Sequence, residues 1–136
     1  MKITKIEEHV TAVPHIPSIE KSRPGDYLKR PISIIEVYTD EGIIGLGEGA
    51  RGSTLENLGE TWIGIDPLTV NLTCQGGAMG MALFDIVGKA LVLPANKLMG
   101  ARHWDAVPVG WWSPPLEADE FAAMAEEGAR LGYKTH

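Results

Sequence analysis

Met81–Gly100 reads MALFDIVGKALVLPANKLMG, and the fold turns on this stretch. With Gly77–Gly80 ahead of it, it carries Met79, Leu83, Ile86, Val87 and Ala90 at helical spacing. That spacing predicts an amphipathic helix over 77–91 with one apolar face. Asp85 and Lys89 stand four apart, as a surface pair that adds about a few tenths of a kcal/mol. Gly80 and Gly88 weaken the helix by up to about 1 kcal/mol each relative to alanine, and a glycine at such a place allows close packing against another element. Pro94 ends the run. Met79, Met81 and Met99 are read as core.

Working outward towards the N-terminus, "ISIIEVYT" (32–39) and "IIGLGEG" (43–49) are strand-like runs joined by "DEG". The three-residue turn with Gly42 in the positive-φ position predicts a β-hairpin. Residues 2–13 alternate loosely and read as a further strand. Between them, 14–31 holds four prolines and mixed charge; a loop of that length in a compact domain is more often functional or mobile than not.

The hairpin ends in Gly47–Gly52, GEGARG, which spells G-x-G-x-x-G. A dinucleotide-binding turn needs a parallel strand inside a βαβ unit and an acidic residue about 20 positions on. Here the strand is the return arm of an antiparallel hairpin, Pro67 breaks any helix continuing from Gly52, and Asn71 and Leu72 stand where the ribose carboxylate belongs. A nucleotide-binding protein is thus the weakest of three readings, and the glycines are read as letting a strand end bend into a loop. Glu48 is read as structural.

Composition bounds the rest. The chain has 136 residues, a net charge of −6 and one cysteine. No basic stripe points to nucleic acid, no apolar run is long enough for a membrane span, and no secretory leader is recognisable, so a cytoplasmic location is expected. Cys74 alone makes neither a disulfide framework nor a cysteine zinc site; it is read as a small core residue. The sequon at Asn71 is read as chance.

Towards the C-terminus, "AVPVGWW" (106–112) is a strand candidate, 118–131 has helical spacing through Phe121, Met124, Ala125, Ala129 and Leu131, Gly132 stops it, and "YKTH" begins a new extended run. Strand, helix, glycine, strand is the opening of a parallel β/α repeat, and one such unit cannot bury its own faces. Trp111 and Trp112 cannot share one side of a strand. His103-Trp104-Asp105 is read as a linker.

Residues 81–100 closely resemble a signature of the enolase superfamily, in its mandelate racemase / muconate lactonizing branch. Ala82, Leu83, Asp85, Gly88, Lys89, Pro94, Leu98 and Gly100 fit it. The hairpin "VYTDEGIIGLGEG", "IGIDP" (63–67), "VPV" and "GYK" occur in matching order. Gly80 and Ala95 depart from the family pattern, and Ser53–Gly77 is shorter than usual for the family. The resemblance implies an α+β capping domain over 1–105 and the first β/α unit of a (β/α)-barrel, incomplete, over 106–136. It also implies an enzyme that uses Mg²⁺ and abstracts the proton α to a carboxylate, as an acid-sugar dehydratase, racemase or cycloisomerase. The metal stabilises the charge that gathers on the carboxylate oxygens. The family's catalytic Lys-x-Lys lies just past the segment matching Gly132–His136, and Lys134 precedes it. No catalytic or metal-binding position is therefore expected in these residues, which on their own should not catalyse the reaction. Substrate selection is expected from two lid loops, about 15–30 and 49–58, with Arg51 foremost and Tyr27, Arg23 and His15 as polar candidates. The expected partners are a small carboxylate such as an acid sugar and further copies of the chain in a homo-oligomer. The alternative is a non-catalytic binding or interaction module derived from the cap, which would have to hide Trp112, Phe121, Met124 and Leu131.

Overall fold

A computed structural model describes residues 1–14, 31–49 and 53–136. Its described residues fall into two compact units, one formed by Met1–Val13 with Pro31–Arg102, the other containing His103–His136.

The first unit is built on a three-stranded antiparallel sheet, β1 (Ile3–Thr11), β2 (Ile32–Thr39) and β3 (Ile44–Glu48), in that spatial order. The hairpin forms as its sequence predicts: Gly42 takes φ 78°, and the Thr39 N–H donates to the Ile43 carbonyl at 3.0 Å. β2 alternates strictly, burying Ser33, Ile35, Val37 and Thr39 on one face. Helix α1 (Ser53–Trp62) comes after β3, and two single 3₁₀ turns, Pro67–Thr69 and Leu72–Cys74, lead to α2 (Gly77–Leu91). The short 53–77 region thus holds one helix. A four-residue turn, α3 (Ala95–Leu98), comes next.

α2 lies across the sheet and completes the core: Ala78, Met79, Ala82, Leu83 and Ile86 meet Ile3, Ile35 and Val37. The helical face is the expected one, although Ala90 is only half-buried. β3 lets the helix come this close because it has no side chain on that side. A Cβ on Gly47 would lie 1.9 Å from the Ala78 carbonyl oxygen, and one on Gly45 would lie 2.3 Å from that of Ala82. Gly47 and Gly45 are thus packing glycines, two apart on one face of a strand.

Asp85 and Lys89 do more than pair with each other. β3 is an edge strand, and its free backbone groups need partners. The Leu46 N–H donates to Asp85 Oδ2 at 3.0 Å; Lys89 Nζ donates to the Ile44 carbonyl at 2.6 Å and to Asp85 Oδ2 at 2.7 Å. The expected surface pair is a clamp on the sheet edge.

At the end of α2 the Leu93 N–H reaches the Gly88 carbonyl at 2.8 Å, and Val92 sits at φ 55°. This is a Schellman-type stop with a β-branched residue where glycine is usual. Three core expectations fail: Met81, Met99 and Cys74 are exposed. Met81 falls on the outward side of α2. Cys74 closes a 3₁₀ turn whose Leu72 packs on the core instead.

In the second unit, α4 (Ala118–Arg130) is the expected helix. No strand forms at 106–112. The Trp111 N–H donates to the Thr135 carbonyl at 2.8 Å, but one bond makes no ladder, and Pro108 brings no N–H to extend it. The two tryptophans separate as expected. Trp111 packs on Gly128, where a Cβ would lie 2.5 Å from the indole, and on Tyr133 at 5.0 Å between ring centroids; Trp112 is 62% exposed. The predicted apolar face of α4 is largely open, with Phe121 and Leu131 exposed and Gly128 its buried residue. Among the described residues no helix is long and apolar enough to cross a membrane.

Candidate functional site: the loop end of the sheet

β1 and β3 both run antiparallel to β2, so they run parallel to each other. Their C-terminal ends and the start of β2 therefore share one end of the sheet. The register fixes this: Thr11 faces Ile32 and Glu48 faces Ile34, with the Gly49 N–H bonded to the Ser33 carbonyl at 2.9 Å. The first turn of α2 reaches the same end, since Ala78 lies against Gly47. The segments carrying the sequence-based candidates start here, one between β1 and β2 and one after β3. His15, Arg23, Tyr27 and Arg51 themselves lie outside the described residues. Glu48 is exposed at this end.

A second group stands on the sheet face turned away from α2. Glu7 faces Glu36 in register, Lys5 faces Tyr38, and His9 lies two residues beyond Glu7 on the same strand face. The Tyr38 hydroxyl donates to Glu36, His9 Nε2 is 3.2 Å from Glu36 Oε2, and Lys5 Nζ is 2.5 Å from Glu7 Oε1 and 5.2 Å from the Tyr38 ring centre. The Tyr38 hydrogen bond, then His9, holds Glu36 below the usual carboxylate range; Lys5, then Tyr38, does the same for Glu7. The two carboxylates in turn push the Tyr38 phenol upward. Sequence reasoning missed this group. Its signal was Glu-x-His on a strand, but the facing Glu36 emerges only from the β1–β2 register.

Other constellations do not converge. A groove of about 450 Å³ beside α2 is lined by Met81, Phe84 and Met99, with Asp85 as its charged residue. Ser113 Oγ lies 2.8 Å from His136 Nε2, and the His136 ring stacks on Phe121, both at the exposed surface of the second unit. His103-Trp104-Asp105 lies in irregular, exposed chain, as a linker would.

An antiparallel sheet backed by one long helix, with its connecting segments gathered at one end, has close counterparts among known proteins. No protein-family model matches the chain. It is 31% identical to the N-succinyl-L-Arg/Lys racemase of Bacillus cereus, across 94% of this chain and 42% of the racemase. It is 38% identical to the D-galactonate dehydratase of Variovorax paradoxus, across 71% of this chain and 31% of that protein. The crystal structure of the Bacillus cereus racemase matches with a TM-score of 0.74 at 28% identity, over 98% of this chain and 43% of that one. A member of the enolase superfamily from Polaromonas sp. JS666 matches with a TM-score of 0.68 at 25% identity, over 98% and 43%. The chain belongs to the enolase superfamily. It spans less than half the length of these relatives.

Proposed function

We propose that residues 1–105 are the capping domain, and 106–136 the first β/α unit of the barrel, of a Mg²⁺-dependent enzyme that removes the proton α to a carboxylate. The reaction class is racemisation, cycloisomerisation or dehydration of a small carboxylic acid such as an acid sugar. This part of the enzyme selects substrate; it does not carry out the proton transfer. The observation that carries the reading is the shared end of β1 and β3. Two segments rooted at one end of a sheet, on the strands that flank β2, can serve one site, and Arg51 in the second suits a carboxylate or sugar hydroxyl. The division between Arg102 and His103 supports the domain boundary. The open faces of Val107, Val109, Trp112, Phe121 and Leu131, with a buried Trp111 indole N–H that has no partner among the described residues, support a larger barrel around the second unit.

Among the described residues no donor set fits Mg²⁺, which takes an octahedron of oxygens. The one group of three potential ligands, Glu7, His9 and Glu36, includes an imidazole. In this reading no Mg²⁺ ligand and no general base is assigned to the described residues.

The test combines the intact mass of the native protein with α-proton exchange in D₂O, using sugar acids and N-acyl amino acids. A mass of roughly 40 kDa, a cap plus a barrel, is expected, with exchange or water loss that needs Mg²⁺ and stops on chelation. Arg51→Ala should raise KM more than it lowers kcat. A mass near 14.7 kDa without exchange overturns the reading and favours the binding module, for which the self-contained core of the first unit is the supporting observation.

A further inference from the structure

We infer that the outer face of the sheet holds one borderline divalent cation of the zinc type, bound by Glu7, His9 and Glu36. This inference is independent of the enzyme reading, since the group lies on the sheet face opposite α2 and needs no other part of the protein.

The geometry comes from the pleat. Glu7 and His9 are two apart on β1 and so point the same way; Glu36 faces Glu7 from β2. Three donors on two paired strands converge without any loop to position them. Their ligand atoms already lie within 4.8 Å of one another, and His9 Nε2 stands 3.2 Å from Glu36 Oε2. A tetrahedral ion with bonds of about 2.0–2.2 Å requires ligand separations of roughly 3.3 Å. The His9–Glu36 edge has that length, and the remaining separations, none above 4.8 Å, close by side-chain rotation. The fourth position faces solvent and takes water.

The electrostatics point the same way. Two carboxylates directly opposite each other on neighbouring strands repel. Here Lys5, Tyr38 and His9 offset that repulsion from the sides. Lys5 is more than half exposed and can swing into water at little cost, leaving a dication to bridge the pair. The Tyr38 hydroxyl then becomes an outer support that orients the Glu36 carboxylate. The mixed imidazole and carboxylate set selects zinc, cobalt, nickel or copper over magnesium.

The experiment is a titration of the full chain with Zn²⁺ against a chromophoric chelator, repeated with Co²⁺ to read its visible absorption. One equivalent is expected per chain, with intense tetrahedral Co²⁺ bands that excess Mg²⁺ does not displace. His9→Ala and Glu36→Gln should abolish it, Lys5→Ala should tighten it, and Cys74→Ser should leave it unchanged. Lys5, His9 and Cys74 are exposed, and Glu36→Gln at its half-buried position is nearly isosteric; circular dichroism checks that each variant folds. Absence of saturable binding in the wild type, binding that survives His9→Ala, or binding lost in Cys74→Ser overturns the inference.

Discussion

Replacing Gly47 by alanine adds one methyl group where, among the described glycines, a Cβ has least room. That methyl would stand 1.9 Å from the Ala78 carbonyl oxygen and 2.7 Å from its carbon. The obstacle is backbone, which cannot rotate away, so α2 must lift from β3 by more than about 1 Å to restore an ordinary contact distance. Behind the contact sit Met79, Leu83 and Ile86, each contributing about 1.5–3 kcal/mol by burial. A gap of about 1 Å forfeits up to roughly half of the contact energy, so the three together, at about 4.5–9 kcal/mol, lose about 2–4.5 kcal/mol. Alanine returns about 0.5–1 kcal/mol by its lower backbone entropy. The net loss is roughly 1–4 kcal/mol, centred on the range for overpacked cores. Gly59 is the matched control: it lies inside α1 with nothing within 4 Å of its would-be Cβ. Gly59→Ala should therefore stabilise by up to about 1 kcal/mol. Urea unfolding tracked by far-ultraviolet circular dichroism measures both. A Gly47→Ala protein as stable as the wild type, or a Gly59→Ala protein that loses as much, would refute the packing argument.

Asp85→Ala removes the partner of the Leu46 N–H and the anchor of Lys89, and should cost about 1–2 kcal/mol in urea with faster amide exchange at Leu46; Asp85→Asn, which keeps an acceptor, should recover most of it. Val92→Gly removes a β-branched residue at φ 55° that buries almost nothing, and should raise stability by about 1 kcal/mol, read as a higher Tm. Glu36 and Glu7 are held below their ordinary value of 4.5, so their contribution is present above that pH and lost as the pH falls through the lower folded values. Tyr38→Phe should bring both carboxyls back up, by carboxyl NMR titration, and flatten the acid limb of the unfolding curve. Cys74, exposed at the end of its turn, should react with a thiol reagent in the native protein as fast as in urea.

The elements were legible wherever a periodic pattern met a clear stop. The hairpin came from two β-branched runs and Gly42, and α2 from five apolar positions and Pro94. Partners across space were less legible. Asp85 and Lys89 showed only their helical spacing, because their real targets are backbone groups of β3, far away along the chain. Gly47 read as a loop former and Gly45 as an ordinary strand position, since a strand sequence does not disclose which helix will lie on it. Cys74, Met81 and Met99 were assigned by residue type, and type says nothing about which side of a turn or helix faces out. The strand at 106–112 carried the right residues, but a parallel strand is made by its neighbours. Of the candidate site, the two loop segments were named through the family resemblance, while the β1–β2 pairing that brings their roots to one end was not legible. His15, Arg23, Tyr27 and Arg51 lie outside the described residues.

The signature over 81–100 acquires a physical meaning from these contacts. Ala82 meets β3 through its backbone, where Gly45 leaves room; Asp85 and Lys89 clasp the strand's outer edge; Gly88 lies so close to the Leu93 carbonyl that a Cβ would stand 2.8 Å away. All four fasten one helix to one edge strand and close the helix end. None points at the loop end where Glu48 and Thr11 stop. The same scaffold can thus keep its helix and hairpin while the segments rooted at that end change freely, because their anchors are set by backbone pairing. A racemase of N-succinyl amino acids and a dehydratase of a sugar acid both resemble this chain, and their substrates share little beyond a carboxylate. Under the proposed function, the difference between such substrates belongs to the expected lid segments, about 15–30 and 49–58, the second of which is helical from Ser53 onward rather than loop, and exchanging those segments between relatives should move KM ratios while leaving the unfolding midpoint in place. A midpoint that fell with the exchange would mean that the loops also hold the sheet together, and the separation of scaffold from selectivity would fail.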